Sequence, residues 1–528
     1  MRHAGPSRRG GGGRLTGRFR QLPAVLGTCR ALRITGRPGG RHRTGSEIGC
    51  AVGAGQWAQE RVGGASRVGS AAGPKVIHRL PRRIAPRRTL IFEPTGPAIR
   101  CRAGPAAHRR RGSEELSMPE QSPFDLAEGD PFGPHTLPYG VFSTSDAPER
   151  RRLGVRYGRH VLDLSALPSA LPTVVQPSHG ALLTATTLNP LLAAGRSVWQ
   201  EVRAAVRTAV TAPEHRATVT PLLRPLDEVT LHLPFEVADY VDFYSSEHHA
   251  TNVGRIFRPD GAALPPNWKH LPIGYHGRSG TVVVTGTPVV RPNGQRKAPA
   301  DTAPTFGPSA RLDIEAEVGF VVGTPSSLHE PVGMDAFRNH VFGVCLVNDW
   351  SARDIQAWEY LPLGPFLGKS FATSVSAWIT PLDAFDAART APPARDFQLL
   401  PYLDDAEVEP GGIDIRIEVA VNGERLSSPP FSAMYWTAAQ QLAHMTVNGA
   451  SLRTGDLFAS GTVSGPEPDQ LGCLLEITQG KGPYLQDGDE VTLTAWAPGP
   501  DGTRIGLGEV TGHVLPAPVL TGSPQEAP

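Results

Sequence analysis

The chain has 528 residues, 39% of them hydrophobic and 19% charged, with a formal net charge of +2 that hides two unlike parts. Residues 1–117 carry 24 Lys and Arg against 5 Glu and no Asp, leaving 28 basic against 45 acidic residues in 118–528. The acidic body argues against nucleic-acid binding, and no uninterrupted apolar run reaches the roughly 18–20 residues of a membrane span; the early LPAVLGTCRALRI is broken by Arg30 and Arg33.

Residues 1–117 are rich in Arg, Gly and Pro without sustained apolar periodicity, which predicts a disordered extension with no packed core. Methionine is absent between Met1 and Met118, and ordinary globular composition begins at MPEQSPFDLAEGD. A mis-set start is the favoured expectation. The alternatives are an Arg-rich, acid-poor targeting peptide and a basic arm for nucleic acid. The arm has only Phe19, Trp57 and Phe92 as aromatics and no recognisable nucleic-acid module, so neither alternative gains support. Intact mass spectrometry of the native protein is expected to find a chain beginning at or near Met118 or Pro119; a mass that includes Met1 contradicts this.

The roughly 410 residues that follow are enough for two domains and a sizeable core. From Tyr139 to Leu164 the pieces YGVFST, LGVRYG and RHVLDL alternate with turn residues and predict a small strand meander. Helical patterns cover 180–195 and 197–210. The proline-punctuated TAPEHRATVTPLLRPLDEV then sets a boundary near 230, dividing 118–231 from 232–528. Beyond it GTVVVTGTPVV, LDIEAEVGFVV, FGVCLVND, IDIRIEVAVNGERL and DEVTLTAW predict a β-rich domain with few helices. The Pro- and Gly-rich 291–308 has no periodicity and reads as a mobile flap or a plain surface connector. Cys345 and Cys473 sit in apolar runs, as small buried side chains rather than a disulfide framework, which fits a reducing cytoplasm.

Glu315 and Glu317 are two apart in LDIEAEVGF, so on a strand both point to one face while Ile314, Ala316 and Val318 fill the other. Two carboxylates held together repel, and a divalent cation between them is the economical remedy. The bland alternative is a solvated strand face. A helix over 349–360 would put Asp349, Arg353, Gln356 and Tyr360 on one stripe, with Trp350, Ala357, Trp358 and Leu361 anchoring the opposite one. In DYVDFYSSEHHATNVGRIFR, Asp242 and Tyr244 share a strand face, Ser245 or Ser246 caps a helix, and either His248 or His249 can meet Asp242 across the turn. Gly364, Pro365 and Gly368 make LGPFLGKSFAT a loop that delivers Lys369 and Thr373. Farther on, 448–465 reads as a hairpin that exposes Thr462, and GCLLEIT puts Glu476 on an apolar strand, where an ionised carboxylate needs a partner.

The segments DFYSSEHHATN, LDIEAEVGF, NDWSARDIQAWEYLPLGPFLGKSF and DLFASGTVSG, with TLPYGVFS at 136, closely resemble the fumarylacetoacetases. The resemblance runs from 136 to about 516. It implies a small SH3-like N-terminal β-barrel domain followed by a mixed β-roll catalytic domain, assembled as a homodimer. It implies metal carboxylates at Asp242, Glu315, Glu317 and Asp349, with Lys369 and Thr373 around a second, magnesium-linked position. It selects His249 as general base and gives Arg353 and Glu476 supporting roles. Substrate contacts fall on Tyr244, Arg258, Gln356, Tyr360 and Thr462.

The implied reaction is hydrolysis of a carbon–carbon bond in a 1,3-diketo acid, giving fumarate and acetoacetate at the end of tyrosine and phenylalanine degradation. His249 would deprotonate water while Lys369, Arg353 and Gln356 donate to the oxyanion. An all-oxygen donor set favours Mg2+ or Ca2+, or Mn2+, over zinc. The nearest rivals are an acylpyruvate hydrolase or 2-oxo acid decarboxylase using the same cage, and a noncatalytic ligand-binding protein.

Overall fold

The computed structural model describes residues 122 and 124–520; the expectations placed on 1–117 lie outside the described residues. The fold is a sheet-rich mixture with some helices. Strands Tyr139–Thr144, Ala147–Tyr157 and His160–Asp163 form the expected meander, and Leu223–Pro225 and Val229–His232 complete a five-stranded antiparallel sheet. The helix expected over 197–210 runs Arg196–Thr211, burying Trp199, Val202, Val206 and Val210 at helical spacing. The one expected over 180–195 is instead two short pieces, Gly180–Leu183 and Asn189–Ala193, because Pro190 starts a new helix rather than continuing the first.

An eight-stranded sheet carries the site. Its order is Gly274–His276, Tyr240–Phe243, Leu457–Ala459, Ala316–Val322, Val341–Asp349, Thr373–Val375 and Val282–Val284, with Thr380–Pro381 also pairing Val341–Asp349. One face packs on a second five-stranded sheet that includes Arg416–Val421, Glu490–Pro498 and Arg504–Leu515. The seam is apolar: Val318, Phe320, Val322, Val344 and Leu346 meet Ile417, Val419, Leu493, Ile505 and Val510. The opposite face, with Tyr240, Val321, Cys345 and Val347, packs on residues of the N-terminal sheet and its helices such as Val141, Leu191 and Val202.

Strand alternation now sorts the acidic residues. Glu317 shares its face with Val321, Asp349 with Cys345 and Val347, and Asp242 with Tyr240, so all three lie on the second face. Register brings them level, since Glu317 lies opposite Val347, Asp349 opposite Thr373, and Asp242 beside Ala459, which itself pairs Gly319.

Five further sequence expectations are corrected. Asp349 ends the strand Val341–Asp349, and the helix begins only at Arg353 and runs to Glu359. The expected anchoring stripe fails with it: Trp350 is buried beside the strand end, whereas Trp358 is 41% and Leu361 70% exposed, and the helix is held by Ile355 and Arg353. Segment 291–308 is a hairpin, Asn293–Arg296 against Thr305–Pro308, packed on that helix with the Trp358 indole donating to Gln295 Oε1 at 3.1 Å. Glu476 lies on a short helix, Leu474–Ile477, and Thr462 is 2% exposed, reached from a strand that pairs across the sheet rather than from a hairpin. For Asp349 and for the segment before Thr462, long-range strand pairing overrode the local pattern.

Candidate active site

Asp242, Glu315, Glu317 and Asp349 present carboxylate oxygens that all lie within 4.8 Å of one another, and each residue is at most 5% exposed. The solvated-face reading of the glutamate pair is therefore excluded. Burial, with Asp349 beside it, holds the Asp242 carboxyl well above its ordinary range; burial, with Asp242 and Asp349, does the same to Glu317. Glu315 goes the other way. Its burial is outweighed by the Lys369 ammonium and the Arg353 guanidinium, which hold it low.

Lys369 arrives as expected from the loop after the helix and is 6% exposed, not solvated. Its Nζ donates to Asp349 Oδ2 at 2.6 Å and to Glu315. Arg353 Nη1 donates to Glu315 Oε1 at 2.6 Å, and its Nε to Asp313 Oδ2 at 2.8 Å. Thr373 Oγ1 donates to Asp349 Oδ1 at 2.8 Å, and the Tyr275 hydroxyl donates to Asp349 Oδ2 at 3.1 Å. Arg353 is shared between Asp313 and Glu315, so Lys369 is the one cation among the described residues that serves the four carboxylates without also serving Asp313.

The residues fit a hard divalent cation. Among the described residues no donor reaches Asp242 Oδ1 or either oxygen of Glu317, so three buried carboxylate oxygens converge with no protein partner. A buried oxygen in that position needs a proton or a cation, and an all-carboxylate donor set suits magnesium, calcium or manganese.

Beside the cluster stands a histidine–glutamate pair. Ser246 caps the helix Glu247–Phe257 by accepting from the His249 backbone N–H at 3.2 Å, which orients the first turn. His249 Nδ1 lies 2.6 Å from Glu476 Oε2, and both residues are 3% exposed. Glu476 also accepts from Asn252 Nδ2 at 2.9 Å, Ser464 Oγ at 2.8 Å and Cys473 Sγ at 3.2 Å. Burial would raise this carboxyl, but the charge and hydrogen bond of His249 outweigh it and hold it at about 2. No described residue hydrogen-bonds His249 Nε2, and His248 has no comparable partner, so the geometry separates the two histidines.

Of the expected substrate contacts, Tyr244 meets the His249 ring edge-on with centroids 5.3 Å apart, and Thr462 is buried with an unpartnered hydroxyl. Gln356 accepts from Arg353 Nη1 at 3.3 Å, leaving its amide N–H groups free. Arg258 and Tyr360 stand at the solvent edge: Arg258 folds back on the carbonyls of Ala262 and Ala263, and Tyr360 is 44% exposed at the helix end. Sequence reasoning missed Asp313, Asn252, Ser464 and Tyr275. Asp313 lies two before Glu315 and Asn252 three after His249, spacings that were available; Ser464 and Tyr275 arrive only through tertiary pairing, Tyr275 lying opposite Asp242 in the sheet.

Fold and site together define a sheet-rich scaffold around a cation-ready carboxylate cluster and a histidine–glutamate pair. The family model described as fumarylacetoacetase N-terminal matches residues 135–234, and the one described as fumarylacetoacetate (FAA) hydrolase C-terminal matches 239–515. Fumarylacetoacetases of Bos taurus and Homo sapiens are each 45% identical over 414 residues, covering 74% of this chain and 98% of the relative. That of Oryza sativa subsp. japonica is 43% identical over 434 residues, covering 77% and 99%. The chain belongs to the fumarylacetoacetase family.

A carboxyl held above its ordinary value destabilises the fold at pH 7, where the unfolded chain ionises it freely. Glu317→Gln is therefore expected to raise the melting temperature of cation-free protein, and to abolish the further rise expected when a divalent cation is added to the wild type. A lower cation-free melting temperature contradicts the cluster's electrostatics.

Glu476 has the opposite sign. Its stabilisation is present above the ordinary value of 4.5 and is lost as pH falls towards about 2. Glu476→Gln is expected to cost about 3 kcal/mol at pH 7, and the gap from wild type is expected to narrow between pH 5 and pH 3 in urea titrations. A pH-independent gap contradicts the ion pair.

Proposed function

We propose that the chain hydrolyses the carbon–carbon bond of 4-fumarylacetoacetate, releasing fumarate and acetoacetate as the last step of tyrosine and phenylalanine degradation. The observation that carries this is the buried His249–Glu476 pair standing beside four convergent carboxylates, in a chain 45% identical over most of its body to fumarylacetoacetases.

Asp242, Glu315, Glu317 and Asp349 would hold the cation, with Lys369 and Thr373 fixing Glu315 and Asp349 from behind and bordering any second, magnesium-linked position. When bound, a divalent ion supplies Lewis-acid polarisation of the diketone oxygens and a template for them. Mg2+ or Ca2+ is the ion expected.

The Glu476 carboxylate accepts from His249 Nδ1–H and so keeps Nε2 as the proton acceptor. Nε2 takes a proton from water as its oxygen attacks the ketone carbon on the fumaryl side. The resulting oxyanion meets donors that the fold leaves open: Arg353 Nη2, which is buried without a partner, the Gln356 amide, and the remaining N–H of Lys369. Removing one donor of this kind costs a few kcal/mol, about 10²–10³ in rate. Collapse breaks the carbon–carbon bond, the electron pair leaves with the acetoacetate carbon, and the imidazolium returns its proton there. Tyr244 and Thr462 bound the substrate at the base, while Arg258 and Tyr360 are placed to meet its outer carboxylate.

The meander sheet is read as the SH3-like N-terminal domain, 118–231, and the two larger sheets as the β-roll catalytic domain, 232–528; the separate N- and C-terminal family matches support that division. A homodimer in a reducing cytoplasm is the expected setting, in keeping with the buried free Cys345 and Cys473 among the described residues. Among the described residues no helix is long and apolar enough to cross a membrane.

His249→Asn is expected to lower kcat by at least 10³-fold while leaving cation affinity within a few-fold; unchanged turnover removes His249 as base. Exhaustive chelation is expected to abolish fumarate release from fumarylacetoacetate, and Mg2+ or Ca2+ to restore it. Release of pyruvate from an acylpyruvate, with none of fumarate, would favour the rival hydrolase instead.

A further inference from the structure

Asp313 is fully buried, and it touches both halves of the site without belonging to either. Its Oδ1 accepts from the backbone N–H groups of Ile314 at 2.8 Å and Leu474 at 2.7 Å. Its Oδ2 accepts from Leu475 N–H at 2.9 Å and from Arg353 Nε at 2.8 Å. Four donors on two oxygens leave this carboxylate well satisfied without a cation.

The partners matter more than their number. Leu474 and Leu475 open the short helix that carries Glu476, whose Oε2 holds His249 Nδ1 at 2.6 Å. Arg353 holds Glu315 Oε1 at 2.6 Å, one of the four clustered carboxylates. A helix of four residues has little intrinsic persistence, so its placement depends on what grips its first N–H groups. Glu476 sits in that same turn. A shift of the turn moves the carboxylate that sets the imidazole's tautomer and direction.

We propose that Asp313 is a positioning residue that locks the histidine–glutamate pair to the carboxylate cluster, by binding the first turn of the Glu476 helix and the Arg353 guanidinium with one carboxylate. It never meets substrate. It sets the distance between the proton acceptor and the groups that hold the diketone, which is the geometry that attack requires. This rests on the reaction proposed above, deepening the account of that site.

The test compares wild type, Asp313→Asn, Glu476→Gln and the double variant, reading kcat, KM, melting temperature and the downfield proton resonance of the His249 Nδ1–H. Asp313→Asn places an amide N–H against donors it cannot accept from, so the turn and Arg353 separate. A fall in kcat of about 10²-fold, with KM within a few-fold and a displaced imidazole resonance, is the expected result. In the Glu476→Gln background the same substitution is expected to cost far less, because its route to the base is already lost. Additive losses, an unmoved resonance or wild-type kcat each overturn the proposal. Should Asp313→Asn fail to fold, Asp313→Glu decides: it keeps the charge beside Arg353 but moves the carboxylate by one methylene, and a wild-type resonance and kcat in that variant overturn the proposal equally. The resonance is read without substrate, so it reports on Asp313 even if wild-type enzyme releases no fumarate, an outcome that would instead refute the reaction.

Discussion

Four carboxylates buried within reach of one another are the constraint on which the rest of this structure depends. Ionised together in a low-dielectric interior they repel strongly, and Lys369 is the one cation among the described residues that they do not share with Asp313. The fold tolerates them because three, Asp242, Glu317 and Asp349, sit on strands of one large sheet, while Glu315, just before a strand, is held by Arg353 and Lys369. The same placement is what a metal site requires, since oxygens already convergent lose little freedom when an ion is bound.

The second constraint is separation of charge by function. Glu315 and Glu476 are both held low, each by its own cationic or imidazole partner, while Asp242 is held high by burial and by Asp349, and Glu317 by burial and by Asp242 and Asp349. Carboxyl groups of one chemical type therefore serve different purposes within one site. One orients an imidazole, one anchors Arg353 and Lys369, and two wait for a counter-charge. The Asp313 bridge ties these regions together through backbone and guanidinium donors.

Much of this was legible in the residues. The Ser cap before His249 and the glycine-rich loop before Lys369 each state a local geometry that the fold keeps, and Glu315 and Glu317 do reach one cluster, although the strand begins only at Ala316 and Glu315 precedes it. What local pattern misjudged was the continuity of elements. Asp349 and Arg353 look like one helical stripe at spacing four, yet a strand ends between them, because pairing of Val341–Asp349 with two neighbours outweighs the helical preference of the next turn. The 291–308 hairpin was hidden for the same reason, since its contacts with Ile355 and Trp358 lie far along the chain. Glu476 was rightly marked as a buried carboxylate in need of a partner, which proves to be His249, although its element was misread as a strand.

The central claim is that these four carboxylates hold one hard divalent cation beside His249. Anomalous diffraction from crystals grown with Mn2+ tests it directly. The account predicts a peak within about 2.0–2.6 Å of oxygens from Asp242, Glu315, Glu317 and Asp349. A crystal that binds manganese elsewhere, with these carboxylates turned away from one another, would contradict it.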